Sequence, residues 1–245
     1  MCSNLRFSVI IPAYNEAALL PRLLGTLQRA AACYKGGAER IELIVADNSS
    51  TDATATLATA HGCRVVRVEK RAIAAARNGG ASMARGEVLC FTDADMQVHP
   101  DTFNAIDRVL QLGDVVGGAT GVRPERWSPG VVATWAVMLP GVWLTGMDTG
   151  VVFCHRSDFA VVGGYDETLL VAEDVKFLLA LKRLGWRTGR RLRRARHAKA
   201  IVSLRKFDQH GEWHQFPVMA RLAWKRLIAP RRFEEEVRAY WYDDR

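Results

Sequence analysis

At 245 residues and 49% hydrophobic content, the chain has ample material for a core, as one large α/β domain or two small ones. Its five cysteines (Cys2, Cys33, Cys63, Cys90 and Cys154) are scattered, odd in number and without a C-x-x-C pair, which argues against a disulfide framework or a zinc site and for a reducing cytoplasm. The net charge of +8 is concentrated: residues 182–206 hold eleven Lys and Arg and no acid, which implies either an anionic partner (nucleotide phosphates, lipid headgroups or nucleic acid) or a solvated basic surface.

The N-terminus, Met1-Cys-Ser-Asn-Leu-Arg-Phe7, runs into a strand without the apolar stretch of a secretory signal. Phe7-Ser-Val-Ile-Ile-Pro12 predicts a buried strand, and Leu19, Leu20, Leu23, Leu24 and Leu27 then recur at helical spacing. Residues 41–46 predict a second strand, and the polar turn Asp47-Asn-Ser-Ser-Thr51 can cap a helix over 52–61. A third strand over 64–68, an Ala-rich helix over 72–85 and a fourth strand over 87–92 follow. Strands alternating with helices of this length indicate a mainly parallel sheet with helices on both faces. Ligands of such sheets bind outside the carboxyl ends of the strands, where Glu16, Asp47, Asp52, Asp93 and Asp95 converge.

The second half is less regular. It predicts a helix over 100–112, a Gly-rich strand over 114–121 without G-x-G-x-x-G spacing, and a strand over 148–154. Residues 127–147 carry no charge, but Pro129, Gly130, Pro140, Gly141 and Gly146 interrupt them, so they read as a buried or interfacial helix and loop rather than a membrane span. Gly163-Gly-Tyr-Asp-Glu167 is a turn before Glu173-Asp174, which open a helix patterned by Val175, Leu178, Leu179 and Leu181 and ending at Gly185. An amphipathic helix is expected over 211–228. The simplest division is one domain over 1–206, with a nucleotide-sugar half to about residue 98 and an acceptor half beyond it, and a C-terminal helical extension over 207–245 packed on it.

Asp93 and Asp95 follow the fourth strand one residue apart. If the extended geometry persists through Ala94, both carboxylates project together into a cleft, an arrangement suited to a hard divalent cation that also takes substrate phosphate oxygens. Taken with Pro12-Ala-Tyr-Asn-Glu16, Ala46-Asp-Asn-Ser-Ser-Thr-Asp52, Ala76-Arg-Asn-Gly-Gly80, Gly163-Gly-Tyr-Asp-Glu167 and Glu173-Asp174, the Asp93-Ala-Asp95 motif falls in the order and spacing of family 2 glycosyltransferases, which the chain resembles over about residues 7–185.

The resemblance implies the GT-A fold, a nucleotide-diphosphate sugar donor (most commonly UDP-linked), Mn2+ or Mg2+, and inversion at the anomeric carbon. It places Pro12, Ala13, Tyr14, Glu16, Asp47, Arg77 and Asp93 at the nucleotide sugar. Glu16 and Asp47 can accept from a nucleobase N–H or ribose hydroxyls, and Arg77 can meet the diphosphate with its planar fork or serve in a salt bridge. Asp52 can join them or serve only as a helix-start acid. Asp93 and Asp95 would hold the metal. Gln97 is a third candidate ligand, because polyprenyl-phosphate sugar synthases resemble the Asp-Ala-Asp-Met-Gln run. Asp174 is the expected general base, with Glu173 orienting it or the acceptor. In Arg205-Lys-Phe-Asp-Gln-His-Gly-Glu-Trp-His214, His210 or His214 can complete the metal or meet the diphosphate, and Trp213 can stack on a sugar or base.

The chain departs from cellulose-synthase-like members in lacking Q-x-x-R-W, which argues against processive synthesis. The expected enzyme is a cytoplasmic glycosyltransferase acting on an acceptor hydroxyl or a lipid-carrier phosphate, whether the acceptor is a glycan, a lipid-linked molecule or a small molecule. Residues 182–206 would touch anionic membrane at its inner face, and no nucleic acid is expected as a partner. The alternatives are a sugar nucleotidyltransferase, opposed by Pro12-Ala-Tyr-Asn-Glu16 where a Gly-rich basic loop belongs, and a non-catalytic nucleotide- or anion-binding module.

Overall fold

A computed structural model describes residues 5–145, 148–213 and 216–218, leaving aside the side chains of 138–145, 206 and 210. The first half alternates as the periodicity predicts: β1 (Phe7–Ala13), α1 (Leu20–Ala32), β2 (Ile41–Asp47), α2 (Thr54–Ala60), β3 (Arg64–Arg67), α3 (Ile73–Ser82), β4 (Val88–Phe91) and α4 (Thr102–Leu110). The second half holds β5 (Val115–Ala119), β6 (Val122–Pro124), α5 (Pro129–Thr145), β7 (Val152–His155), α6 (Arg156–Val162), α7 (Glu173–Thr188), β8 (Arg191–Arg194), β9 (Ala200–Val202) and α8 (Arg205–His210).

Seven strands form one mixed sheet in the order β3-β2-β1-β4-β7-β5-β8, and β6 and β9 pair separately. β7 is antiparallel to both of its neighbours, and the other paired strands are parallel. Strands β1, β4 and β5 are buried along nearly their whole length, as a sheet covered on both faces requires. One face packs Leu20, Leu23, Leu24 and Leu27 of α1 with Phe103, Ile106 and Leu110 of α4. The other packs Ala74 and Ala81 of α3 with Phe177, Leu178 and Leu181 of α7. Pro12 is tolerated in a central strand because the β1–β4 ladder has already ended at Ile10 opposite Phe91.

Three elements depart from the sequence reading. The uncharged stretch folds as a continuous α5 rather than helix and loop, burying Val131 and Thr134 while Val132 and Val137 stay exposed. Among the described residues no helix is long and apolar enough to cross a membrane. The helix expected to stop at Gly185 continues to Thr188, because that glycine marks a close approach: a Cβ there would lie 2.6 Å from the Arg190 carbonyl oxygen, and the left-handed stop falls at Gly189. The basic run contributes strands β8 and β9, and its Arg190, Arg191, Arg193 and Arg194 pair with Asp158, Asp114, Asp114 and Asp148. Most of the amphipathic helix expected over 211–228 lies outside the described residues.

Candidate active site

Strand order builds the cleft. From β1 the chain steps outward through β2 to β3, then returns to place β4 on the other flank of β1, so the loops leaving β1 and β4 part at a switch point. Glu16 stands in the first loop, Asp93 in the second, and Asp47 ends β2 beside them. Backbone strain is concentrated around these positions. Among the described residues the non-glycine positions with positive φ are Asn15, Ser49 and Ala172, respectively next to Glu16, two beyond Asp47 and next to Glu173. Such conformations cost of order 1–3 kcal/mol each and persist where the surroundings enforce them.

The extended geometry does not persist through Ala94. The strand stops at Phe91, and Met96 N–H donates to the Asp93 carbonyl at 3.2 Å, closing a turn. Burial still alternates: Ala94, Met96 and Val98 are buried, while Asp93, Asp95 and Gln97 are half-buried. Gln97 is pinned through its backbone, which exchanges hydrogen bonds of 3.0 and 2.8 Å with Ile201. Among the described residues no group of three His, Cys, Asp or Glu side chains could hold a metal. Two carboxylates and an amide oxygen alternating with buried residues nevertheless fit a hard cation that completes its shell with water and substrate phosphate oxygens.

Arg77, projecting from α3, is the centre of the charge network. Its Nη1 donates to Glu173 Oε1 at 3.0 Å and to Asp174 Oδ1 at 2.6 Å, and its Nη2 donates to Asp93 Oδ1 at 2.9 Å. The fork, expected to meet a diphosphate or to serve in a salt bridge, here holds three carboxylates. Burial opposes the guanidinium charge, but Asp174 and Asp93 outweigh it and hold its pKa well above the ordinary value. Asp174 responds to burial first. Despite the pull of Arg77, burial and the like charges of Asp93 and Glu173 push its carboxyl up to about 6.

Tyr165 and Asn78 brace Arg77. Its guanidinium lies 5.1 Å from the Tyr165 ring, which stacks on Phe177 at 4.3 Å. Asn78 receives the Tyr165 N–H at 2.9 Å and donates to the Tyr165 carbonyl and to Glu167 Oε1, each at 2.9 Å. Gly164 has φ +72, and a Cβ there would meet Asn78 Oδ1 at 2.7 Å. Two motifs far apart in sequence, Ala76-Arg-Asn-Gly-Gly80 and Gly163-Gly-Tyr-Asp-Glu167, are thus one device for fixing Arg77.

On the other side of the cleft, Glu16 has a buried side chain, 2% exposed, whose oxygens accept from Arg205 Nη1 at 3.0 Å and Nη2 at 3.1 Å. The carboxylate expected at a nucleobase thus meets a guanidinium. Burial works against Arg205's charge, and Glu16 and Asp95 outweigh it, raising its pKa. Asp47 is buried, and its Oδ1 accepts the Ser50 N–H at 3.2 Å. Asp52 precedes α2 and ties it to the β1 loop: its oxygens accept from the Thr54 amide and hydroxyl and from Ala17 N–H, bonds that outweigh partial burial and lower its pKa. Pro12 and Ala13 pair with Ala46 and Asp47 in the ladder, and half-buried Tyr14 lies under the Arg71 guanidinium at 3.6 Å. His210 ends α8 with its side chain outside the description, His214 lies outside the described residues, and Trp213 is exposed.

The site therefore unites Arg77, Asp93, Glu173 and Asp174 in one cluster, and brings Arg205 to Glu16 and near Asp95. Sequence reasoning missed Arg205, Asn78 and Tyr165 as supporting residues. Asn78 and Tyr165 lie inside the recognised motifs, so a signal was present. The Glu16–Arg205 contact, 189 residues apart, left no local trace.

The sequence profile of Glycosyl transferase family 2 matches residues 8–138, just over half of the chain. Validoxylamine A glucosyltransferase from Streptomyces hygroscopicus subsp. jinggangensis is 36% identical over 106 residues, covering 40% of this chain and 24% of that protein. Undecaprenyl-phosphate 4-deoxy-4-formamido-L-arabinose transferase from Pseudomonas paraeruginosa is 36% identical over 132 residues, covering 49% and 38%. The chain thus spans about a quarter to two-fifths of these curated relatives. Mannosyltransferase PcManGT from Pyrobaculum calidifontis, solved with GDP-Man and Mn2+, aligns with TM-score 0.62 at 20% identity, over 81% of this chain and 56% of that one. S. aureus TarS 1-349 in complex with UDP aligns with TM-score 0.58 at 19% identity, over 81% and 57%. These likenesses show the fold, a GT-A arrangement.

Proposed function

Because this chain belongs to glycosyl transferase family 2, we propose that it moves a sugar, with inversion, from a nucleotide-diphosphate donor to an acceptor hydroxyl or a lipid-carrier phosphate. One observation carries the reading: a single buried guanidinium holds Asp93, on the donor side, and Asp174, on the acceptor side, within hydrogen-bond reach. Inversion needs a leaving diphosphate and a proton acceptor on opposite faces of the sugar, and Arg77 fixes carboxylates for both tasks.

In this mechanism Asp174 takes the proton of an acceptor hydroxyl. Its Oδ1 is held by Arg77, which leaves Oδ2 to receive the proton. Glu173, bonded to the same Nη1, keeps the fork in place and sets the side-chain angle of its neighbour. Asp93 and Asp95, with Gln97 beside them, are the residues that would hold Mn2+ or Mg2+, which when bound supplies positive charge for the departing diphosphate. Arg205 adds a fixed positive charge near Asp95. An acceptor that is already a phosphate needs no base, so the weight on Asp174 separates the two acceptor classes.

Support for a nucleotide sugar comes from the neighbours solved with GDP-Man and UDP, and support for a lipid-phosphate acceptor from the undecaprenyl-phosphate relative. The test is transfer or hydrolysis of labelled UDP- and GDP-sugars with Mn2+ or Mg2+. Asp95→Ala is expected to abolish turnover, and Asp174→Asn to lower it about 10²- to 10⁴-fold with a hydroxyl acceptor. Undiminished activity in both variants refutes the assignment.

A further inference from the structure

Helix α7 begins at the site and continues as a surface the reaction does not use. Its inner side buries Phe177, Leu178, Leu181 and Gly185. Its outer side carries Val175, Leu179 and Trp186, which are 45%, 36% and 73% exposed. With Lys182 these positions fall at spacings of four, three and four residues, one stripe of a helix. The Lys182 ammonium lies 5.7 Å from the Trp186 ring centroid, and Arg183 and Arg187 are exposed beside the stripe. From Val175 to Thr188 there is no acidic residue. Nearby acids are paired with cations: Asp166 with Lys176, Glu167 with Lys70, and Asp158 with Arg190.

We propose that the outer face of α7 is a docking surface for an anionic lipid bilayer. Trp186, Leu179 and Val175 enter the headgroup layer, while Lys182, Arg183 and Arg187 meet lipid phosphates. Charge complementarity favours a negative partner, and area favours a lipid. Three apolar side chains in a single row fall well short of the roughly 800 Å² per partner that a stable protein interface buries, whereas a bilayer needs only shallow insertion backed by basic residues. A Trp with basic neighbours also suits headgroup depth. This docking differs from that expected of the whole 182–206 run, whose Arg190, Arg191, Arg193, Arg194 and Arg205 are held by acids of the fold. The stripe begins at Val175, the residue after Asp174, so a membrane along α7 borders the cleft. That consequence, delivery of a lipid-borne acceptor to Asp174, rests on the sugar-transfer reading, but the surface itself does not.

The experiment is flotation of the full chain with vesicles of phosphatidylglycerol and phosphatidylcholine in equal parts, against phosphatidylcholine alone, without nucleotide or acceptor. Binding to the anionic vesicles is expected, falling about thirtyfold in Arg183→Gln/Arg187→Gln and about tenfold or more in Leu179→Ser/Trp186→Ser. The thermal shift on adding UDP or GDP with Mn2+ should stay at the wild-type value in both double variants, with melting temperature unchanged in Arg183→Gln/Arg187→Gln and only modestly lowered in Leu179→Ser/Trp186→Ser, because Leu179 is partly covered. Absence of wild-type binding, or wild-type partition in both double variants, overturns the proposal. So does a wild-type dimer that Leu179→Ser/Trp186→Ser converts to monomer, which would make the face a contact between copies. Nucleotide shifts read donor binding separately, so failure of docking and failure of the sugar-transfer reading give different results.

Discussion

Replacing Arg77 with alanine tests the centre of the proposed site. The guanidinium is 5% exposed and the Glu173 side chain 10%, whereas Asp93 and Asp174, at 42% and 29%, keep part of their hydration. Removing one member of a buried ion cluster typically costs about 3–5 kcal/mol because it leaves charge uncompensated. Two of the three carboxylates here are partly hydrated, and all can neutralise by taking a proton, so the lower end, about 3 kcal/mol, is the expected loss at neutral pH. For a chain of this length that corresponds to a fall in Tm of roughly 6–12 °C. The loss should also depend on pH with a definite sign. Without Arg77 the burial and like charges that already raise the Asp174 carboxyl act unopposed, so its folded-state pKa rises further, the folded variant binds more protons and its stability falls further as pH rises through that value. Urea unfolding between pH 5 and 8 should therefore show the gap between wild type and variant widening toward pH 8. A gap under about 1 kcal/mol that is flat with pH refutes the claim that the guanidinium holds these acids together.

Other outcomes follow from neighbouring contacts. With Asp174 titrating near 6 and acting as a base only when ionised, turnover onto a hydroxyl acceptor should decline below about pH 6, whereas a phosphate acceptor should show no such limb; a pH–rate profile distinguishes them. In a double-mutant cycle on Glu16→Gln and Arg205→Ala, urea denaturation should give a coupling of about 1–3 kcal/mol, because each change alone strands the other group. Gly164→Ala combines a left-handed backbone with a clash on Asn78 and should lower stability by about 1–3 kcal/mol, read as a Tm shift. Ala172→Gly relaxes the strained residue before Glu173, and is expected to raise stability by up to about 1 kcal/mol in the same assay.

The parallel half of the sheet was legible because its signals are local: an apolar run, a polar turn, then leucines at helical spacing. The motif carboxylates also fell on the expected edge. What the sequence concealed was whom the charged residues meet. Arg77 reads as a phosphate ligand or an ion-pair partner, and its three carboxylate partners, two of them 96 and 97 residues away, left no local trace. Glu16 reads as an open acceptor until a residue 189 positions away closes on it. β8 and β9 hid inside a run dominated by arginine, where edge and surface positions carry no apolar alternation. Gly185 misled because a glycine chosen for close contact looks like one chosen to stop a helix.

The contact between Glu16 and Arg205 has a consequence for how the molecule comes into being. It joins the first βα loop to α8, 189 residues further on, so the intervening chain must be made before it can close. A nascent chain can pair β1, β2 and β3 as they emerge, but the guanidinium that occupies the Glu16 carboxylate arrives only after β1 to β9 have been made. Until then Glu16 stays hydrated and the β1 loop lacks its clasp. Closure of the donor side thereby follows pairing of the sheet, and a chain truncated before residue 205 would carry the strands without that clasp.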